Sequence, residues 1–156
     1  MDNIETLIIC ESVHHGNTMK IAKAIGEVLN AKIIKPSDFN EGIIADYSLI
    51  GFGSGIYGGV HHKNIIDLAY NLQIQNDKKA FIFSTSSIRM AAMHKTLRDI
   101  LLRKGFNIIG EFQCKGFSDY SFLKFLSGGI NKGRPNEEDL QEAQSFSKNL
   151  KGKFQA

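Results

Sequence analysis

Residues 6–18 read Thr-Leu-Ile-Ile-Cys-Glu-Ser-Val-His-His-Gly-Asn-Thr. Thr6 to Glu11 is an apolar run of strand character, and Ser12 to Gly16 is a short polar turn. From Asn17 the pattern changes: Ile21, Ala22, Ala24, Ile25, Val28 and Leu29 fall at the three–four spacing of a buried helical stripe. Strand, glycine-containing turn, helix is how an α/β protein builds an anion site. The turn aims backbone N–H groups at one point, and the helix N-terminus adds partial positive charge. Ser12, Asn17 and Thr18 add short side chains able to donate to phosphate oxygens. The plain alternative is an ordinary strand–helix turn capped by Asn or Thr.

Several phosphate-binding loops are excluded by composition. A P-loop needs Gly-Lys-Ser/Thr at its end, and Gly16 is followed by Asn-Thr-Met-Lys. The dinucleotide fingerprint needs three glycines, and this turn has one. A phosphatase loop built on Cys10 needs an arginine where Gly16 stands.

Working outward, the rest of the chain repeats the alternation. Ala31–Ile34 is a short strand stopped by Pro36, and Ser37–Ala45 leaves room for only a turn or two of helix. Leu49, Ile50 and Phe52 make a third strand, expected to end at Gly53-Ser54-Gly55. Helix at Ile65–Leu72, strand at Lys79–Thr85, helix at Met90–Lys104 and strand at Asn107–Cys114 follow, with Gly105 placed as a helix C-cap. A final helix opens behind Asn136 with acids in its first turn. Five strands alternating with helices predict an α/β fold: a three-layer sandwich whose parallel sheet has the order 2-1-3-4-5. Such sheets bind ligands beyond the carboxyl ends of their strands, beside strand one.

The totals agree with one domain over residues 1–156. Hydrophobic residues are 42% and charged residues 22%, ordinary for a globular protein, and no apolar run reaches membrane-spanning length. A net charge of +3, without a basic stripe, argues against a nucleic-acid partner. Cys10 and Cys114 both fall in strand-like runs, as expected of buried free thiols in a reducing cytoplasm. The expected location is therefore cytoplasmic, with no membrane contact. The sequence leaves the oligomeric state open.

The pattern Ser12-x-x-x-Gly16-Asn17-Thr18 at the end of a first strand resembles the flavodoxin family. In that family such turns bind the 5′-phosphate of FMN. The resemblance extends through Asp46–Gly58 and Gly128–Leu140 and covers nearly the whole chain. It implies a flavodoxin-like fold and FMN as cofactor. It places the phosphate at Ser12, Val13, His14, His15, Gly16, Asn17 and Thr18. It places the flavin ring at Ser54, Gly55, Ile56, Tyr57 and Gly58, where Tyr57 matches the aromatic residue that stacks on the ring. The peptide after that residue rearranges on reduction in the family. The pyrimidine edge falls to Ser84, Thr85, Ser86 and Ser87, which serve equally as a helix-capping cluster. The long Gly- and aromatic-rich stretch 115–134, with Phe117, Tyr120 and Phe122, closes the other ring face, binds a partner or substrate, or simply packs on the sheet. Response regulators share the topology, but the third strand carries Gly51-Phe52-Gly53 where they need an aspartate.

Two features depart from the acidic electron shuttles of this family. The chain is basic, and Gly59-Val60-His61-His62-Lys63 stands where shuttles often carry acids. Positive charge there would favour the reduced, anionic flavin and an acidic redox partner. His14 and His15 offer either side chains or only backbone amides to the phosphate. A zinc site from His14, His15, His61 and His62 lacks metal-ligand spacing. The function implied is FMN-dependent electron transfer with a partner protein or a small-molecule donor or acceptor. The alternatives are an FMN-dependent NAD(P)H or quinone oxidoreductase and a non-redox binding module. No catalytic residue stands out.

Overall fold

The computed structural model describes residues 3–13, 16–116 and 133–156. Among the described residues there are six strands: β1 (Thr6–Glu11), β2 (Lys32–Ile34), β3 (Leu49–Tyr57), β4 (Val60–His61), β5 (Lys78–Ser86) and β6 (Phe106–Lys115). Among the described residues the helices are α1 (Asn17–Leu29), α2 (Lys63–Asn71), α3 (Lys95–Arg103) and α4 (Glu137–Gln155). Pro36–Asp38, Glu41–Asp46 and Ala91–His94 form tight 3-10 turns. The sheet order is β2-β1-β3-β5-β6, all parallel, and β4 pairs antiparallel with the end of β3. The expected order therefore holds for the five parallel strands, and β4 is an extra two-residue strand.

Both faces of the sheet are covered. Leu7, Ile9, Ile50, Phe52 and Ile82 pack toward α2 and α3, against Ile65, Ala69, Leu97 and Leu101. Ile8, Cys10, Phe81 and Phe83 pack toward α1 and α4, against Ile21, Ile25, Ala143 and Leu150. Successive strand residues point to opposite faces, so a strand buried on both sides is a continuous apolar run. Cys10 and Cys114 are buried and unbonded to each other, and burial pushes both thiols up to about 12. They are packing residues rather than nucleophiles.

The glycines of β3 do not stop it. The rings of Phe81 and Phe83 on the neighbouring strand lie directly over Gly51 and Gly53. A Cβ would come within 2.3 Å of the Phe81 ring at the first position and 2.2 Å of the Phe83 ring at the second. Each glycine is a hollow cut for an aromatic side chain, and β3 runs on to Tyr57. The helix expected from Met90 begins instead as the 3-10 turn Ala91–His94 before α3. Gly105, at φ +88, caps α3 beside the carbonyl of Gln75. Asn136 caps α4 in a reciprocal capping box with Asp139, whose carboxylate also accepts two hydrogen bonds from Arg134.

Candidate functional site

The carboxyl ends of β1, β3 and β5 lie side by side, from the pairing of Glu11 with Ser54 to that of Gly55 with Thr85. Each ends in, or leads into, a segment singled out in the sequence. At the end of β1, Ser12 reaches across the turn and its Oγ accepts the backbone N–H of Met19, 3.1 Å away. This satisfies one of the orphan donors at the start of α1. Gly16 sits at the helix entrance with φ +65, and nothing lies within 4 Å of the space a Cβ would take. Among the described residues the Ser12 hydroxyl proton has no acceptor, and Val13 is exposed at the lip. His14 and His15 lie outside the described residues.

Asn17 opens α1 with its side chain against Gly116, where a Cβ would meet Asn17 Nδ2 at 2.9 Å. This joins the start of α1 to the end of β6. Thr18 turns inward: its hydroxyl is 2.7 Å from the Thr85 hydroxyl, and both residues are buried. The hydroxyl of Thr18, a residue expected at the phosphate, links α1 to β5.

The second segment is a hairpin. Ile56 pairs with His61 and Tyr57 with Val60, across a turn made by Gly58 and Gly59 at φ +59 and +84. Positive φ at both central positions is the tight-turn geometry that glycine permits. The Tyr57 ring folds over Gly55 and meets His62 edge-on at 5.3 Å, leaving Tyr57 36% exposed. Ser54 is fully buried, donating to the Gly55 carbonyl and accepting from His62 N–H, so its hydroxyl locks the hairpin base.

The residues of the basic run after Tyr57-Gly58 each take up a structural contact. His61 is buried under the hairpin and burial, then neighbouring His94, pushes its pKa down to about 3. His62 caps α2, with Nδ1 accepting from Asn64 N–H. Lys63 is paired with Asp67. The expected cluster of positive charge beside the ring is thus reduced to side chains with other duties. Glu11 also reaches this edge, accepting from Asn64 Nδ2 at 3.0 Å.

The third segment is the end of β5 itself. Ser84 and Thr85 are still within β5 and buried, pointing to opposite faces. Ser84 faces the α3 layer, where its Oγ is 2.7 Å from His94 Nε2. His94 Nδ1 is 2.9 Å from Glu111 on β6, and Arg98 donates twice to Glu111 at 2.8 Å. Burial works to raise the Glu111 carboxyl, but its bonds from Arg98 and His94 hold it below its ordinary range. Burial lowers the His94 pKa, with Glu111 opposing. Ser86 donates to the Ile88 carbonyl and accepts Gly116 N–H on its own carbonyl. Ser87 follows at the rim, half-buried. Serine, histidine and carboxylate in this order have the geometry of an acyl-transfer triad. Ser84 is only 1% exposed and His94 0%, so no substrate reaches the hydroxyl.

This network was missed in the sequence. Ser84, His94 and Glu111 meet through strand register and a 3-10 turn, with no local motif. No cluster of metal ligands occurs among the described residues. Phe117, Tyr120 and Phe122 lie outside the described residues.

Comparison with known proteins bears on this geometry. A family model described as Flavodoxin domain matches residues 7–128. An uncharacterized protein of Methanocaldococcus jannaschii is 48% identical over 149 residues, covering 94% of this chain and 98% of that protein. Among solved structures, oxidised Flavodoxin 2 from Bacillus cereus superposes with a TM-score of 0.69 at 17% identity, covering 96% of this chain and 99% of that one. A flavodoxin from the domain Archaea gives 0.66 at 13% identity, covering 98% and 100%. The Fusobacterium nucleatum flavodoxin bound to flavin mononucleotide gives 0.66 at 14% identity, covering 96% and 98%.

Proposed function

The chain belongs to the flavodoxin family, and from that premise we propose that it binds FMN at the ends of β1, β3 and β5 and passes electrons between redox partners. The observation that carries the reading is the turn after β1. Ser12 closes it onto α1 while Gly16 holds the helix entrance open in a left-handed conformation. A phosphate dianion at a helix N-terminus gains from the dipole and from each donor aimed at it.

When bound, FMN supplies the one- and two-electron chemistry. The protein supplies position and electrostatics. Ser12 has a hydroxyl proton to give to a phosphate oxygen, and the amides at the start of α1 stand beside it. Tyr57 presents a partly exposed aromatic face beside Gly58, and the two glycines of the turn let that peptide adopt more than one conformation. Ser54, Thr18, Ser84 and Thr85 serve the frame, fixing the hairpin and α1 to the sheet. The polar edge of the ring then falls to backbone groups and to the Ser86–Ser87 segment. FMN titration tests the binding. Reduction of the bound flavin by NAD(P)H with turnover on quinones would instead support the oxidoreductase reading.

A further inference from the structure

Phe83, Ser84 and Thr85 are three consecutive residues at the end of β5, and each shares a hydrogen bond with a different element. The Phe83 carbonyl is 3.0 Å from His61 Nε2 on the hairpin. Ser84 meets His94 ahead of α3, and Thr85 meets Thr18 on α1. His94 is the hub. Its ring is 4.9 Å from the His61 ring, its Nε2 is on Ser84 and its Nδ1 is on Glu111.

The proton positions follow from the donors. Arg98 is permanently charged and gives two N–H groups to Glu111, so Glu111 is an acceptor. His94 must then donate from Nδ1. Neutral His94 accepts at Nε2, and the Ser84 hydroxyl donates to it. A carbonyl only accepts, so His61 carries its proton on Nε2 against Phe83. Its Nδ1 is a buried lone pair with no partner among the described residues. Such an orphan persists only where its surroundings hold the ring in place.

We propose that His94, locked in its Nδ1–H form by Glu111 and Arg98, is a positioning residue for the candidate cofactor site. It fixes the end of β5 through Ser84 and seats the β3–β4 hairpin by packing on His61. The link to a cofactor rests on the flavin reading of that hairpin. The titratable and charged groups facing His94 are His61 from β4, Arg98 from α3 and Glu111 from β6. Protonating His94 would replace the Nε2 acceptor with a donor and put charge beside the His61 ring. Hairpin order should therefore fall in step with the titration of His94.

The test uses the full chain, first without ligand. Imidazole nitrogen NMR reads the His94 tautomer, and amide exchange reads protection at Ile56, His61 and His62, with β1 as internal reference. Wild type should show His94 protonated at Nδ1 and hairpin protection that drops as His94 takes up its second proton. His94→Gln should lower hairpin protection about tenfold and abolish the pH step while β1 stays protected. Ser84→Ala, which adds no bulk, should lower it about threefold and decides the matter if His94→Gln does not fold. An Nε2–H tautomer, unchanged hairpin protection, or equal loss in β1 and the hairpin would each overturn the proposal. With FMN added, His94→Gln should bind about tenfold more weakly than wild type, and equal binding would overturn the link to the cofactor. Wild type that binds no FMN overturns the flavin reading, while the exchange data still decide the positioning claim.

Discussion

Two hydroxyl-rich segments look alike in this chain and are used in opposite ways. The turn after β1 holds Ser12 beside the entrance of α1, where among the described residues its hydroxyl proton has no acceptor. The end of β5 turns Ser84 and Thr85 inward, one to each face, where they tie α3 and α1 to the sheet. Strand parity decides which role a hydroxyl takes. A serine beyond the last strand residue is free to face a ligand, and a serine within the strand belongs to whichever layer its face meets.

The largest expected effect erases the comparison, because it disturbs the floor under both segments. Gly53→Ala drives a methyl into the Phe83 ring and should destabilise the protein by about 3 kcal/mol, read by denaturant unfolding. A loss under about 0.5 kcal/mol would mean that the ring relocates freely.

The next change separates the segments. Thr85→Val leaves the Thr18 hydroxyl buried without its partner and should cost about 1–2 kcal/mol. Ser12→Ala should cost about 1 kcal/mol through the lost bond to Met19 N–H. If the comparison is right, Thr85→Val shows the greater loss of stability and Ser12→Ala the greater loss of FMN affinity.

Acid sharpens the contrast from the inner side. His61 and His94 have native pKa values below the ordinary 6.5. The unfolded chain therefore binds protons that the native state refuses. Stability from His61 is present above about pH 6.5 and is lost as pH falls toward about 3, at about 1.4 kcal/mol per pH unit for each proton, and the contribution of His94 is lost in the same direction. The slope is best read above about pH 4.5, where Glu111 and Asp139 stay ionised. His61→Asn should flatten it, and an unchanged slope would deny that His61 is buried neutral. The smallest effect belongs to the surface: Lys95→Met removes an exposed pair with Asp99 and should leave the denaturant midpoint essentially where it is in wild type.

The element order was legible because each helix carries an apolar stripe and each strand an apolar run. β1 and α1 lie where the sequence placed them, and Asn136 caps α4 as its surrounding acids implied. The end of β3 was misread because glycine normally weakens a strand. Here Gly51 and Gly53 are paired with Phe81 and Phe83 across the sheet, a relation visible only once the register is known. The direction of Ser84 and Thr85 was illegible for a related reason. β5 is apolar on both faces before them, so no polar alternation marks which side each will join. His61 read as a surface cation because its neighbours His62 and Lys63 are polar, yet its position in the two-residue β4 turns it under the hairpin.

The most direct test is FMN titration into deflavinated protein, followed by flavin fluorescence, for wild type, Ser12→Ala and Thr85→Val. Wild type should bind saturably, Ser12→Ala should bind about 10- to 100-fold more weakly, and Thr85→Val should lose much less. No binding to wild type, or full affinity in Ser12→Ala, would contradict this expectation.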